Sequence, residues 1–393
     1  MDYRPQTAAP VRYAELWTFQ DAINHVLDAF DAKAVFRELR AARRAVYEAY
    51  RDLPTHHAWS YYLRRWQLTT FAAQSNGTVE YDHSGRTLTI SGGTWPASAR
   101  RMRIIIDEGS IDEGSYPIES RVNGTVLTLP EDQNPGADVA ATTYTLYQSE
   151  YPLPVGARRL GLPRSHCEWF LDYASAEEAA AVRQGNWHPQ TPWLATIRSS
   201  GESYGEMVLE LSPPPAQAKT YHFVYEASPQ PLVWFGTTAE FTTGTVSSSG
   251  TTITGDGTDW TSNMVGCVLR VSDTGEPPTG LVGTNERDNP YTEQRIVQSV
   301  ESATSLTIDQ AFSGSHSDVP YSIGSPLDVE PHTMLTYLLR LAEHRYAVNV
   351  SHESQRQRFE NQKLALREAM AKDSTRMQGA DMESSGFIWI LVK

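Results

Sequence analysis

The chain has few of the residues that build disulfide frameworks or membrane spans. It contains two cysteines, Cys167 and Cys267, among 393 residues, and neither stands at a spacing typical of zinc ligands. We expect both to be small apolar core residues. No segment approaches the ~20 consecutive apolar residues that a transmembrane helix needs, and the first residues lack the basic and apolar regions of a signal peptide. These features predict a chain that is cytoplasmic when synthesised and has no membrane partner.

Positive charge is also scarce. The chain has 33 Lys and Arg against 47 Asp and Glu, which gives a formal net charge of -14. Duplex binding depends on clustered Lys and Arg that release counterions from the phosphates. The acidic balance therefore argues against a primary nucleic-acid-binding role, although it is compatible with a protein that lies near DNA without adhering to it.

Signatures of enzymes are weak. The segment GESYG, Gly201–Gly205, matches the G-x-S-x-G nucleophile elbow, which needs a strand before the serine and a helix after it. The residues that follow, EMVLELSPPP, alternate as a strand and end in prolines, so we expect a hairpin turn there. A serine hydrolase that uses Ser203 is a minor alternative, and the sequence predicts no enzyme.

Metal and cofactor motifs are equally weak. The segment DEGSIDEGS, Asp107–Ser115, repeats an acidic pair but lacks the twelve-residue loop of a calcium site, so a solvated turn is expected. His56, His57 and the segment Ser165–Cys167 show no metal spacing, and no phosphate-binding or dinucleotide-binding glycine motif is present. The sequence predicts no catalytic, cofactor or metal site.

Hydrophobic spacing divides the chain into regions of different character. Three- and four-residue steps predict helices at both ends, and short runs of alternating apolar and polar residues between Gly, Asn, Asp and Pro predict strands between them. The predicted fold is α+β and β-dominated, with two related small β-barrel or sandwich modules, a mixed central domain, and terminal helices that pack as a bundle. The predicted regions are the N-terminal helices (1–53), the first β module (54–150), a mixed central region (151–235), the second β module (236–330), the C-terminal helices (331–378) and an extended docking tail (379–393).

The two β regions resemble each other. Gly77–Trp95 and Gly244–Trp260 share a Gly-Thr-Val start, a glycine-rich turn and a closing tryptophan. The similarity continues in the same order through three further pairs of segments: Ile118–Val122 with Ile296–Val300, Thr125–Leu129 with Thr304–Ile308, and Thr143–Tyr147 with Pro320–Gly324. Each copy alternates apolar and polar residues at period two and offers one Trp as a core residue. We therefore predict an internal duplication that supplies two similar rigid modules.

These elements, taken in order, resemble those of tailed-bacteriophage structural proteins. The elements are Gly244–Trp260, Met264–Val271, Ile296–Asp309, Tyr321–Ile323, Glu150–Pro154 and Leu209–Ala227. With helices at both ends, the chain resembles a head-to-tail adaptor, also called a connector or neck protein. Many adaptors are shorter and need not carry two such modules. Another tail or baseplate component, or a host-recognition module that binds carbohydrate, therefore stays open.

The resemblance implies a structural virion protein. It implies a homo-oligomeric ring, commonly of about twelve copies around a closed rotation axis, which binds the portal protein on one side and a tail or nozzle protein on the other. DNA would pass through the ring without sequence-specific binding. The expected location is the neck or tail of the virion, after assembly in the host cytoplasm.

Two segments are candidate partner-binding sites. The second N-terminal helix is crowded with arginines, which form either a solvated face or a docking strip for an acidic neighbour: Arg37, Arg40, Arg43, Arg44 and Arg51. The last residues form an apolar run after a polar linker: Phe387, Ile388, Trp389, Ile390, Leu391 and Val392. Such a run is an aggregation hazard unless it is paired, so it either folds back on its own domain or adds a strand to a neighbouring subunit or to the portal.

Overall fold

The computed structural model of the chain describes residues 16–32, 35–107, 114–163, 171–185, 188–201, 206–272, 274–278, 291–377 and 387–391. The helices are α1 (Phe19–Asp28), α2 (Phe36–His56), α3 (Ala176–Gly185), α4 (Thr333–Asn349) and α5 (Gln355–Met377). The strands that precede the second module are β1 (Leu63–Thr69), β2 (Thr78–Asp82), β3 (Thr87–Ser91), β4 (Arg103–Ile106), β5 (Gly114–Pro117), β6 (Ser120–Arg121), β7 (Val126–Thr128), β8 (Val139–Thr142), β9 (Tyr144–Tyr147), β10 (Glu150–Pro152), β11 (Ala157–Pro163), β12 (Asp172–Tyr173), β13 (Leu194–Ser199), β14 (Met207–Ser212) and β15 (Thr220–Ala227). The remaining strands are β16 (Glu240–Phe241), β17 (Thr245–Ser249), β18 (Thr252–Asp256), β19 (Val268–Val271), β20 (Glu293–Ser302), β21 (Ser305–Ile308), β22 (Tyr321–Gly324) and β23 (Phe387–Leu391).

The chain folds into two compact units. Unit 1 comprises Met1–Tyr61 and Pro229–Arg376, and unit 2 comprises Tyr62–Ser228 and Met377–Lys393. Unit 1 therefore contains the second β module together with four of the helices, and unit 2 contains the first module together with the central strands. The α+β, β-dominated fold class that the sequence predicts is confirmed.

The first module is a sandwich of two antiparallel sheets. One sheet has the order β6-β7-β3-β2-β8 and the other the order β5-β4-β9. Alternate residues of β2, β3, β4 and β9 are buried in one shared core, as period-two alternation demands when each sheet covers the other. Trp95 lies in this core and is only 2% exposed.

The second module repeats this arrangement in a single coiled sheet. Its seven strands run in the order β16-β22-β19-β20-β21-β18-β17. The long strand β20 pairs with β19 through its first half and with β21 through its second half, with a register shift between Val297 and Ser299. The single strand β20 of the second module therefore corresponds to two strands of the first module, β5 and β6. Trp260 is buried in the core of this module, as the sequence predicts.

Matched contacts show how similar the two modules are in structure. Trp95 meets Tyr144 edge-on at 5.3 Å between ring centroids, and Trp260 meets Tyr321 edge-on at 5.9 Å. At the start of each copy, Gly77 and Gly244 have φ values of +94° and +85°, and a Cβ at either would lie within 2.3 Å of a backbone oxygen. Only glycine fits at these positions, which explains why both copies begin with the same Gly-Thr-Val.

The barrel alternative is not realised in the described residues, because neither module closes its strands into a ring of hydrogen bonds. The pairing also corrects the alignment of the copies by one position. Ile118 donates its backbone N–H to Met102 O, and Val297 donates to Cys267 O. Ile118 therefore corresponds to Val297 and not to Ile296.

The helices of unit 1 pack around a buried carboxylate. Glu343 of α4 is fully buried and accepts hydrogen bonds from Arg340 (2.7 Å) and from Arg358 of α5 (2.6 Å), and it lies 3.0 Å from Nε2 of His25 in α1. Burial alone would raise the pKa of Glu343, but these hydrogen bonds and the arginine charges outweigh it and lower the pKa. The predicted packing of N- and C-terminal helices thus rests on an ionic centre as well as on apolar faces.

The central region of unit 2 contributes two further sheets. One has the order β1-β15-β11-β23 and the other the order β10-β14-β13-β12. Helix α3 begins with a capping box, in which Ser175 N donates to Glu178 Oε2 at 2.8 Å and Glu178 N donates to Ser175 Oγ at 3.2 Å. None of the helices in the described ranges has the length and apolarity that a membrane span requires.

Candidate interaction surfaces

The arginines of α2 lie outside because the other face of the helix is buried. Small and apolar residues recur at three- and four-residue steps on the buried face: Ala42, Ala45, Val46, Ala49 and Leu53. This pattern leaves Arg37, Arg40, Arg44 and Arg51 exposed, whereas Arg43 is half-buried. The sequence thus places four of the five predicted arginines at the surface of unit 1.

Only some of these arginines have partners within the described residues. Arg44 Nε donates to Glu48 Oε1 at 2.8 Å, and Arg51 Nε donates to Asp52 Oδ1 at 3.3 Å. Both are exposed ion pairs, which contribute little to stability. For Arg37 and Arg40, no hydrogen bond or ion pair is found in the part of the chain that the structure describes. Their charges are available to another molecule.

Large aromatic side chains accompany the arginines. Phe36 is 80% exposed and Tyr47 is 40% exposed. At about 100° per residue, both fall with the arginines in an arc of about 120° on α2. Trp234 is 42% exposed and lies 6.2 Å from the Tyr47 ring. We call the set Phe36, Arg40, Arg44, Tyr47, Arg51 and Trp234 the arginine–aromatic face.

The sequence reasoning missed the aromatic members of this face. Phe36 and Tyr47 could have been found, because a helical projection of α2 groups them with the arginines and not with the alanines. Trp234 carries no such signal, since it comes from a segment far away in sequence. Arginine, tryptophan and tyrosine are the residue types enriched among interface hot spots, so the arrangement is suited to binding another protein.

The C-terminal strand lies at a sheet edge of unit 2. β23 pairs antiparallel with β11, with Arg159 opposite Leu391, Gly161 opposite Trp389 and Pro163 opposite Phe387. This is the intrachain pairing that the sequence leaves as one of two alternatives. β23 is the outermost strand of its sheet. Val392 lies outside the described residues, and the role of the strand in binding a partner stays a prediction.

One serine, one histidine and one aspartate meet in unit 1, but not as a catalytic relay. His57 Nε2 lies 3.0 Å from Asp373 Oδ2, and Ser60 Oγ donates to Asp373 Oδ1 at 2.5 Å. In a nucleophile–base–acid relay the serine would contact the histidine. Here both contact the carboxylate, whose pKa falls because the hydrogen bonds from His57 and Ser60 outweigh its burial. The group joins the segment after α2 to α5.

The described residues include only part of the weak enzyme and metal motifs. Ser203, Cys167 and most of Asp107–Ser115 lie outside the described residues. The strand β14 begins at Met207, shortly after the GESYG segment, and pairs with β13 as a hairpin. The helix that a nucleophile elbow needs is therefore replaced by a strand. Within the described ranges, no three His, Cys, Asp or Glu side chains are grouped so as to hold a metal ion.

Comparison with known proteins adds no family assignment. No family model, no curated protein and no solved structure matches this chain. What the chain does is therefore inferred from its own residues and geometry.

Proposed function

We propose that this protein is a structural subunit of a tailed-bacteriophage virion, an adaptor that forms a ring between the portal and the tail and surrounds the path of the DNA. The observation that carries the proposal is the arginine–aromatic face of α2. It is an exposed surface with the composition of an interface hot spot, mounted on a helix whose other side is anchored in unit 1.

Charge explains how such a face would drive assembly between identical copies. The chain as a whole carries -14 formal charges, so copies repel one another unless unlike patches meet. The arginines form a local positive patch, and an acidic patch on the next copy would complement it. A contact between two different patches is heterologous, and it closes into a ring when its rotation divides a full turn. The net negative charge would keep passing DNA from adhering to the ring.

The duplicated module fits a scaffold. Two copies of one β module, each with the same Trp–Tyr contact and the same essential glycine at its start, give the chain two bodies of related structure. Such repetition builds size and stiffness, which a spacer between two larger assemblies requires.

The C-terminal strand would strengthen the contacts of the ring. Among the described residues, β23 is joined to its sheet through backbone hydrogen bonds to β11. The same bonds can form with β11 of a neighbouring copy or with an edge strand of the portal, since strand addition depends on the main chain. Deletion of residues 385–393 is then expected to leave both units folded and to weaken association.

Charge reversal on α2 tests the proposal. The double variant Arg40→Glu/Arg44→Glu should lose assembly, because two rim charges at a protein interface become repulsive. The matched control is Arg356→Glu/Arg367→Glu on α5, which changes the net charge equally at two other exposed positions of unit 1. Mass photometry of the purified protein measures the outcome. Equal assembly by both double variants would contradict a role for the arginine–aromatic face.

A further inference from the structure

A cavity of about 590 Å³ lies in unit 1 between the second β module and helices α1 and α2. Its volume falls in the range of about 300–1,000 Å³ that is typical of small-molecule sites. The segment 233–243 forms one wall and the segment 259–264 another, and Gln20 and Arg43 close the helical side. The cavity is therefore assembled from three separate parts of one unit.

Packing and hydrogen bonds fix the aromatic wall of the cavity, and the ring of Trp234 remains partly exposed to a ligand. Trp234 packs edge-on against Phe19 at 4.9 Å between centroids, yet it is 42% exposed. Phe235 and Thr238 hydrogen-bond to each other through both backbone groups, which fixes the turn that carries these aromatics. The cavity thus offers a preformed aromatic surface, and such a surface binds the apolar faces of a ligand at low cost in entropy.

The opposite wall offers polar groups that the protein itself does not use. The side chains of Asp259, Thr261 and Asn263 are exposed and make no hydrogen bond within the described residues. On the helical side, Arg43 Nη1 donates to Thr237 O, while Arg43 Nε is buried without a partner. A carboxylate, a hydroxyl, an amide and a guanidinium N–H together can bind a ligand that both donates and accepts hydrogen bonds.

The balance of charge selects a neutral ligand. One arginine, Arg43, and two carboxyl groups, those of Asp259 and Glu240, line the cavity. Because burial raises the pKa of Glu240 to about 7, its carboxyl is partly protonated near neutral pH, and the charges of opposite sign on Arg43 and Asp259 leave the lining with little net charge. A ligand with many hydroxyl groups and an apolar ring face satisfies both walls without a net charge.

The duplication shows that the carboxylate and the amide of this wall belong to the second copy alone. Trp260 corresponds to Trp95, and Met264 N donates to Thr261 O as Ala99 N donates to Pro96 O. The trio Asp259, Thr261 and Asn263 therefore replaces Thr94, Pro96 and Ser98 of the first copy. The framework of the turn is the same in both copies, so the packing of the module does not require the polar trio.

We propose that this cavity is a binding site for a short neutral oligosaccharide. Trp234 would stack on a pyranose ring, and Asp259, Asn263 and Arg43 would hydrogen-bond to its hydroxyl groups. Carbohydrate binding of this kind is a second activity, which would let the same subunit attach to a glycan.

Saturation-transfer NMR with maltotriose, cellotriose and chitotriose tests the site, with inorganic phosphate and choline as charged probes. We expect at least one trisaccharide to bind and neither charged probe to bind. Trp234→Ala and Asn263→Ala should each weaken that binding at least about tenfold, which is the equivalent of one hydrogen bond or stacking contact.

Control variants keep the test decisive. Trp193→Ala removes an equally exposed tryptophan of unit 2, 47% exposed, and should not change binding. Because Trp234 also packs on Phe19, its variant is checked for folding, and Asn263→Ala at the surface carries the conclusion if folding fails. Binding of no trisaccharide at millimolar concentration, binding of a charged probe instead, or binding unaffected by Asn263→Ala would overturn the proposal. Asn263 lies outside the arginine–aromatic face, so Asn263→Ala tests glycan binding separately from ring assembly, whereas Trp234 belongs to both surfaces.

Discussion

The buried pair Asp21–Arg270 gives the sharpest prediction about how unit 1 holds together. Arg270 lies on β19 of the second module, and Asp21 lies in the first turn of α1. Their side chains are 4% and 3% exposed. Arg270 Nη1 donates to Asp21 Oδ1 at 2.9 Å and Nη2 donates to Oδ2 at 2.8 Å, which is a two-pronged contact. The pair joins the N-terminal helices to the β module.

Replacing Arg270 with Met should be costly, because it leaves the Asp21 carboxylate buried without its cation. Removal of one partner of a buried ion pair costs about 3–5 kcal/mol. Asp21 keeps its cap contacts with Thr18 N at 2.7 Å and with Thr18 Oγ1 at 2.9 Å, so we expect the lower end, about 3 kcal/mol. For a unit of this size, such a loss lowers Tm by roughly 6–12 °C.

Calorimetry measures this loss, and hydrogen exchange of β19 peptides assigns the transition to unit 1. Asp21→Asn/Arg270→Met should recover much of the lost stability, since it removes both charges. The exposed control Arg44→Met should change the free energy of unfolding by less than about 0.5 kcal/mol. If Arg270→Met were as mild as Arg44→Met, the ionic anchoring of α1 would be refuted.

Two further predictions concern Glu240 and Gly244. Burial, and next the charge of Asp21, raise the pKa of Glu240 to about 7. The folded state then prefers the protonated carboxyl, and stability falls as pH rises from the ordinary carboxyl range through about 7. Glu240→Gln should therefore raise the free energy of unfolding relative to the original protein at pH 8 by on the order of 1 kcal/mol and have little effect on it at pH 4.5. An equal effect at both pH values would refute the pKa shift. Gly244→Ala should cost more than about 2 kcal/mol in urea unfolding, because its Cβ would lie 2.3 Å from Asp256 O, whereas Gly250→Ala, with φ of +60° and open space, should cost about 1 kcal/mol. Similar costs for both would show that the crowding at Gly244 is unimportant.

Much of the fold could be predicted because its signals are local. Alternation at period two, Gly-containing turns and the paired tryptophans identify both modules, and the capping box at Ser175 fixes the start of α3. These features depend on residues close together in sequence. Local signals are weaker at α2, which begins after Val35, a residue whose side chain makes no cap hydrogen bond.

Long-range pairings could not be predicted in the same way. The sheet β1-β15-β11-β23 joins four segments that are far apart in the chain, and no local pattern encodes their order. The match of Ile118 to Ile296 was likewise one position away, because Ile296 and Val297 are adjacent β-branched residues and only the backbone pairing distinguishes them. The arginines of α2 were predictable as a face, but the position of Trp234 beside Tyr47 required the fold.

Electron microscopy of the purified 393-residue chain measures the central claim, assembly into a ring, most directly. Because an exposed arginine–aromatic face on an acidic chain favours heterologous contacts between copies, we predict closed rings with one rotational symmetry and a central opening. A preparation that stays monomeric at micromolar concentration, with no rings in the presence or absence of the C-terminal strand, would contradict assembly as the function of this protein.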